Sequence, residues 1–282
     1  MGTYAVTGSA SGMGHQVAQK LRDAGHIVIG VDIKQADIVA DLSTREGRQA
    51  AAAGVLQAAG SRLDGAVLAA GLGPTRDPGR ARLIAQVNFF GVVELLSAWR
   101  PALAAADRAK VVVFSSNSTT TTPTVPARMV RAFLARDADK AVRSVRFLGK
   151  NAAVFVYAGS KIAVSRWVRR EAVKAEWAGA GIRLNALAPG AIMTPLLEES
   201  LASPKEAKRI RSFPVPIGGF GDAGQLADWV LFMLSDAADF LCGSIVFVDG
   251  GSDAYFRADD WPSSVPAYRL LSYLKRFRGQ SG

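Results

Sequence analysis

The sequence predicts an α/β fold, a single doubly wound parallel sheet of about seven strands with helices on both faces. Three observations predict it. Short apolar runs alternate with longer stretches of helical periodicity from residue 3 to about residue 250. Those runs are rich in Val, Ile, Leu and Ala with little polar alternation, as strands covered on both faces are. A glycine-rich turn joins the first run to the first helical stretch. With 282 residues, 49% of them hydrophobic, the chain can bury one sizeable core.

Thr3–Thr7 reads as the first strand. It runs into Gly8-Ser9-Ala10-Ser11-Gly12-Met13-Gly14 and then a helical pattern from His15 to Ala24. Strand, glycine turn and helix form the context of a dinucleotide fingerprint. Gly8 permits the tight turn. Gly12, between Ser11 and Met13, lets the backbone approach a pyrophosphate. Gly14 allows close helix–strand packing, and the helix N-terminus faces the anion. The second strand, Ile27–Val31, ends in Asp32. An acid at this distance accepts both ribose hydroxyls of NAD and repels a 2′-phosphate. The glycine loop carries no Arg or Lys, which also favours NAD over NADP; Lys34 is the one nearby cation that blurs the preference.

Ala36–Ala40 is a third strand, ending at Asp41-Leu42. Ser43 or Thr44 then caps an alanine-rich helix to about Ala59. Asp64–Ala69 is a fourth strand, ending in the sharp loop Ala70-Gly71-Leu72-Gly73-Pro74. The next helix, Ala81 to Leu103, is apolar nearly all round, so both faces need cover: the sheet on one side and a second subunit on the other. Asn88 sits inside it and needs a partner. Val111–Phe114 is the fifth strand, followed by Ser115-Ser116-Asn117-Ser118. Thr119–Thr122 and two prolines read as an extended linker. Ala127 to Gly149 has helical spacing and many basic residues, with a break near Arg136–Ala138.

Tyr157-Ala158-Gly159-Ser160-Lys161 opens the next helix, which runs to about Gly179. Tyr157 and Lys161 are four apart and share a face. A free tyrosine titrates near ~10 and is a poor base; an adjacent ammonium favours the phenolate and lowers that pKa. Such a tyrosine exchanges a proton with an alcohol or carbonyl oxygen. Ile182–Ala188 is the sixth strand, and Pro189-Gly190-Ala191-Ile192-Met193-Thr194-Pro195 lies at its C-terminal end, where open α/β sheets bind ligands. Leu196–Ser212 reads as a mobile amphipathic helix, with Met193, Leu196, Leu197, Leu201 and Ile210 available as an apolar lid. Asp222–Leu234 is a further helix and Ser244–Val248 the seventh strand.

Composition narrows the function. No run of 18 apolar residues is present, and the first strand begins at Thr3, so neither a membrane span nor a signal peptide is expected. One cysteine, Cys242, fits a reducing, cytoplasmic setting. His15 and His26 stand apart from any carboxylate or cysteine cluster, so no metal site is expected. The net charge of +10 is spread over helices and two local segments, which does not suggest nucleic acid. One of those segments is the tail, where Leu270, Leu271, Leu274 and Phe277 line one side and Arg269, Lys275, Arg276 and Arg278 the rest. It reads as a helix packed on its own fold or a partner subunit, with membrane-surface contact as the alternative.

The TGSASGMG loop, Asn88, Ser115-Ser116, Tyr157-x-x-x-Lys161, Pro189-Gly190 and Thr194 stand in the order of the short-chain dehydrogenase/reductase family, which the chain resembles over about residues 3 to 251. The stretches AGHIVIGVDIKQADIVADLSTREGR, LDGAVLAAGLGPT and RLNALAPGAIMTPLL resemble that family's bacterial hydroxysteroid dehydrogenase/carbonyl reductase branch. The resemblance implies a Rossmann fold, residues 1–256 as the catalytic domain with an insertion over about 119–150, and 257–282 as a basic extension. It implies Tyr157 as general acid/base, with Lys161 lowering its pKa and holding the nicotinamide ribose. Ser116 would bind the substrate oxygen, and Asn88 a water in a proton relay. Ser115 and Ser118 are neighbours of that serine, and Ser144 is a further candidate at a more usual spacing. Gly8, Gly12 and Gly14 would wrap the pyrophosphate, and Asp32 the adenosine ribose. Asp41 and Leu42 would flank the adenine; Ala70, Gly71, Pro189, Gly190 and Thr194 would complete the NAD(H) site. Where the family usually has Asn-Asn-Ala-Gly, this chain has Leu68-Ala69-Ala70-Gly71.

The implied activity is NAD(H)-dependent interconversion of a secondary alcohol and a ketone, a hydroxysteroid or other bulky apolar carbonyl first. Smaller aldehydes, ketones or quinones are the alternative substrates, and a non-catalytic NAD-sensing interaction protein is the alternative class. A homo-oligomer is expected, a dimer before a tetramer, with the insertion at or beside the interface.

Overall fold

The computed structural model describes residues 1–77, 79–261 and 264–278. Seven parallel strands form one sheet in the order β3-β2-β1-β4-β5-β6-β9. They are β1 (Thr3–Thr7), β2 (Ile27–Asp32), β3 (Ile38–Val39), β4 (Gly65–Leu68), β5 (Lys110–Phe114), β6 (Arg183–Pro189) and β9 (Ile245–Val248). A short parallel pair, β7 (Ile192–Met193) with β8 (Gly221–Asp222), lies apart. The strands of the sheet centre are buried throughout; every residue of β4 and β5 is covered. That is why their sequences show no alternation. The chain winds from β1 outward to β3, then crosses back so that β4 pairs with the other side of β1. The direction reverses between β1 and β4, and a crevice opens there beyond the strand ends.

Helices cover both faces. On one side α1 (Gly12–Asp23) packs with α11 (Ala223–Leu234) over Val6, Val67 and Val112. On the other side lie α2 (Arg45–Ala58), α3 (Arg80–Ala85), α4 (Gly91–Ala104) and α8 (Ala152–Glu171). Thr44 caps α2, its hydroxyl accepting from Gly47 N at 2.9 Å.

Several elements depart from expectation. The helix predicted over Ala81–Leu103 is interrupted by a π turn, Gln86–Phe90, that holds Asn88. Its apolar residues need no second subunit: Trp99 is fully buried and donates to Ala52 O in α2, while the Phe89 ring meets Phe133 of the insertion at 5.3 Å. The stretch Arg80–Ala104 is long and apolar enough to cross a membrane, yet here it is a core helix, with Ile84, Phe89, Leu95 and Leu96 fully buried.

The threonines after Ser118 form a helical turn, α5 (Ser118–Thr121), not an extended linker. Their hydroxyls fold back, Thr119 onto Ser116 O and Thr120 and Thr121 onto Asn117 O, the local competition such side chains offer. The insertion continues as α6 (Ala127–Leu134), α7 (Ala138–Arg143) and a 3-10 turn, Arg146–Asn151, with the foreseen break made by Arg136 at a φ of 62°. The tyrosine helix α8 begins at Ala152, so Tyr157 stands in its second turn, and it ends at Glu171 before a π turn at Ala175–Gly179. Leu196–Ser212 is two helices, α9 (Pro195–Leu201) and α10 (Pro204–Arg211), because Pro204 cannot continue the first and restricts Ser203. A short α12 (Ser252–Phe256) follows the sheet, and α13 (Leu270–Arg278) the tail. Pro262 and Ser263 of the tail, and the side chains of Leu196, Arg276, Phe277 and Arg278, lie outside the described residues.

Candidate active site

A cleft of about 520 Å³ opens over the β1–β4 crevice. Gly8, Ser11, Gly12, Met13 and Gly14 form its floor, Asp32, Asp41 and Leu42 one end, and Ala70, Gly71 and Thr194 the other. The turn is tight for a physical reason. A Cβ on Gly14 would lie 2.2 Å from Gly8 O, and one on Gly8, whose φ is 71°, 2.8 Å from Ala70 N. At Gly12 the case is different: a Cβ there meets nothing closer than Thr194 at 3.7 Å, so the space above it is open to a ligand. The first turn of α1 holds no acidic residue to oppose an anion. Asp32 is fixed by Ala10 N at 3.0 Å on one oxygen and Ile33 N at 2.7 Å on the other. A carboxylate with two engaged oxygens keeps lone pairs for further donors. These residues fit a dinucleotide: a backbone cradle for the pyrophosphate and an acceptor for a ribose diol.

A second cleft, of about 300 Å³, continues from the first past Met13, Gly71 and Thr194. Ser116, Tyr157, Lys161, Pro189 and Gly190 line it. Ser116 comes from the C-terminal end of β5, Tyr157 and Lys161 from α8, and Pro189 and Gly190 from the end of β6. Ser116 Oγ accepts from Ser118 N at 3.1 Å, which leaves its O–H to donate into the cleft it shares with Tyr157. Lys161 is buried and donates to Phe114 O at 2.6 Å.

Asn88 lines neither cleft and stands behind both. Its Oδ1 accepts from Leu72 N at 2.8 Å and its Nδ2 donates to Leu72 O at 3.0 Å. The amide thus clasps the loop after β4. A Cβ on Gly71 would lie 3.5 Å from Asn88 Oδ1 and 3.8 Å from Lys161 Nζ, so the asparagine and the lysine converge on this glycine. The alternative serines separate clearly. Ser115 is paired with Ser165 at 2.6 Å in the core, and Ser144 turns its hydroxyl onto Ala141 O in the insertion.

The electrostatics reverse one expectation. Burial pushes the Tyr157 phenol above its ordinary value, and the opposing pull comes from the Ser116 hydrogen bond, not from Lys161. Burial also pulls Lys161 down to about 8. Both follow from desolvation of the charged forms. Helical spacing placed the two side chains together, but spacing carries no information on how dry their surroundings are.

The sequence reading missed Arg80, Leu83 and Val87, which wall the dinucleotide cleft opposite Asp32. Their signal was present as recurrence at three and four residues on one helical face. Arg80 donates to Gly73 O at 2.8 Å and so fixes a second point of the Asn88-clasped loop. Leu197 of the expected lid does line the second cleft.

The comparisons agree with this geometry. Residues 3–127 match the family described as short chain dehydrogenase, and residues 141–253 that described as enoyl-(acyl carrier protein) reductase. The chain is 38% identical over 258 residues to the 3-alpha-hydroxysteroid dehydrogenase/carbonyl reductase of Comamonas testosteroni, covering 91% of this chain and 98% of that one. Among solved structures it matches the 3-alpha-hydroxysteroid dehydrogenase from Pseudomonas sp. B-0831 complexed with NADH, with a TM-score of 0.84 and 42% identity over 91% of this chain and 99% of that one. Levodione reductase is also similar, with a TM-score of 0.70 and 25% identity over 89% and 97% of the two chains. A parallel sheet with its glycine turn at the reversal point, a serine–tyrosine–lysine set beside it, and identity across nearly the whole of a curated relative place this chain in the short-chain dehydrogenase/reductase family.

Proposed function

We propose that the protein is an NAD(H)-dependent oxidoreductase that interconverts a secondary alcohol and a ketone, with a hydroxysteroid or similarly bulky apolar carbonyl as substrate. The observation that carries this reading is that Ser116, Tyr157 and buried Lys161 line one cleft, continuous with another that ends at Asp32. The nicotinamide, when bound, supplies or accepts the hydride. The chain's own residues move and hold the proton. In oxidation, ionised Tyr157 takes the hydroxyl proton while Ser116 hydrogen-bonds the substrate oxygen. Bringing a phenol from ~10 to near 7 requires roughly 4 kcal/mol of preferential stabilisation of the phenolate. Ser116 contributes part of this, and the Lys161 ammonium and the oxidised cofactor are the remaining positive groups. Asp32 selects NAD over NADP by repelling a 2′-phosphate. Residues 1–256 act as the catalytic unit and 257–282 as an appended segment, in a reducing, cytoplasmic setting.

The steroid class is supported by the two similar hydroxysteroid dehydrogenases and by the apolar wall that Leu72, Phe114, Ile192 and Leu197 give the second cleft. The test is oxidation of 3α-, 3β- and 17β-hydroxysteroids and simple secondary alcohols with NAD, with NADP as control. Turnover of one steroid epimer with NAD is expected, and Tyr157→Phe should lower it by at least a thousandfold while NAD binding changes less than about threefold. Turnover of small alcohols alone would discard the steroid. Retained turnover in Tyr157→Phe would remove that residue from the chemistry, and NAD binding without any turnover would favour a sensing role.

A further inference from the structure

The chain continues past its catalytic body. The matched family region ends at residue 253, and about a tenth of the chain has no counterpart in the two hydroxysteroid dehydrogenases, which are themselves covered almost completely. The tail contains α13, entered through a 3-10 turn at Ala267–Arg269. Among the described elements, that turn is the only one with which α13 makes extensive contact. Among the described residues, the expected packing of the tail on its own fold is slight. Leu271 is 77% exposed and Tyr268 81%, and Trp261, Val265, Leu270 and Leu274 are exposed with them.

Helical geometry sorts these residues. At 3.6 residues per turn Leu270 and Leu274 share one face with Leu271 beside them, while Lys275 falls toward the opposite side. From Trp261 to the C-terminus the sequence has four basic residues and no acidic one. This charge decides the occupant. A second copy of the tail would bring four more positive charges, against which only Asp259 and Asp260, just before Trp261, stand. An anionic bilayer surface supplies the missing charge, accepts the leucines below the headgroups, and suits Trp261 and Tyr268, whose rings are apolar with a polar handle. We propose that the tail centred on α13 docks the protein reversibly on an anionic lipid surface.

The test uses the full chain and vesicles of phosphatidylcholine with or without roughly one-third phosphatidylglycerol, read by co-sedimentation. Binding to the anionic vesicles, little to phosphatidylcholine alone, and weakening in high salt are expected. Leu271→Glu with Leu274→Glu should weaken binding by at least tenfold, and Arg269→Glu with Lys275→Glu likewise, at about fivefold per charge. Both pairs should keep wild-type NAD affinity and melting temperature, which reports a folded body. No binding to anionic vesicles, equal binding to both kinds, or binding indifferent to both pairs would overturn the proposal. So would a change of oligomer mass in the leucine pair with no vesicle binding by the wild type, because the tail would then be a contact between copies.

Discussion

Lys161 is held at about 8 by burial, against 10.5 for an unperturbed lysine. Its folded pKa is depressed, so the unfolded chain binds more protons between those two values, and stability rises with pH across that window. Below pH 8 the lysine is charged in both states, and folding bears the whole cost of burying the ammonium. Above 10.5 it is neutral in both, and that cost is gone. The span corresponds to on the order of 3 kcal/mol. Urea unfolding at pH 7.5 and 9.5 should therefore show a stability gain in the wild type that Lys161→Met lacks; equal gains would place the effect on another group. Activity should run the other way. If the ammonium is what holds the ribose and favours the phenolate, turnover falls as Lys161 loses its proton above pH 8. At this one residue the fold and the chemistry prefer opposite protonation states, the stored cost that functional sites characteristically carry.

Asn88 shows what an element can hide. An asparagine within an otherwise apolar helix signalled a needed partner, and the partner proved to be both backbone groups of Leu72. The π turn that aims it there was not legible, because one extra residue per turn leaves no mark on apolar spacing when the helix is apolar all round. The long elements were read correctly for the opposite reason. β1, β4, β5 and β6 are buried on both faces, and α2 announces itself through the Thr44 cap. β7 and β8 have two residues each, too few for any period to show. The site was legible where a residue type is forced, as at Gly8 and Gly14, and illegible where ordinary side chains such as Leu83 and Val87 serve as wall. Asn88→Ala removes both hydrogen bonds to the half-buried Leu72 backbone and should cost about 1 kcal/mol. It should also raise KM for NAD, since Gly71 and Leu72 wall both clefts. Wild-type melting and KM together would show that the clasp is dispensable.

At the scale of the molecule, the surface left over after folding has a distinct side. The insertion occupies the flank of α3 and α8, with Met129 Sδ seated where a Cβ on Gly159 would lie, at 2.3 Å. One edge of the sheet is less covered, with every residue of β9 only half-buried. β9 is an edge strand with one unpaired side, and Trp229, Phe232 and Phe240 are exposed on α11 and the turn that follows it. Open edges and exposed aromatic side chains are features that subunit contacts cover. If copies of the chain pair, this exposed aromatic surface is a candidate contact beside the one expected at the insertion. For a contact there, light scattering should give twice 29.7 kDa, Trp229→Glu with Phe232→Glu should shift the mass toward monomer, and Phe147→Glu on the insertion should leave it unchanged. A dimer broken only by Phe147→Glu would place the interface at the insertion.

The π turn at Gln86–Phe90 also says something about which shorter versions of this chain could work. It is one residue of surplus length stored inside a helix. Deleting a single residue there would let the helix close into a regular α form, swing Asn88 about a quarter of a turn, and release the loop that walls both clefts. The shortened protein would gain a more regular helix and lose its site. The surplus residue is therefore tied to the placing of Asn88 on Leu72 and not to the regularity of the helix.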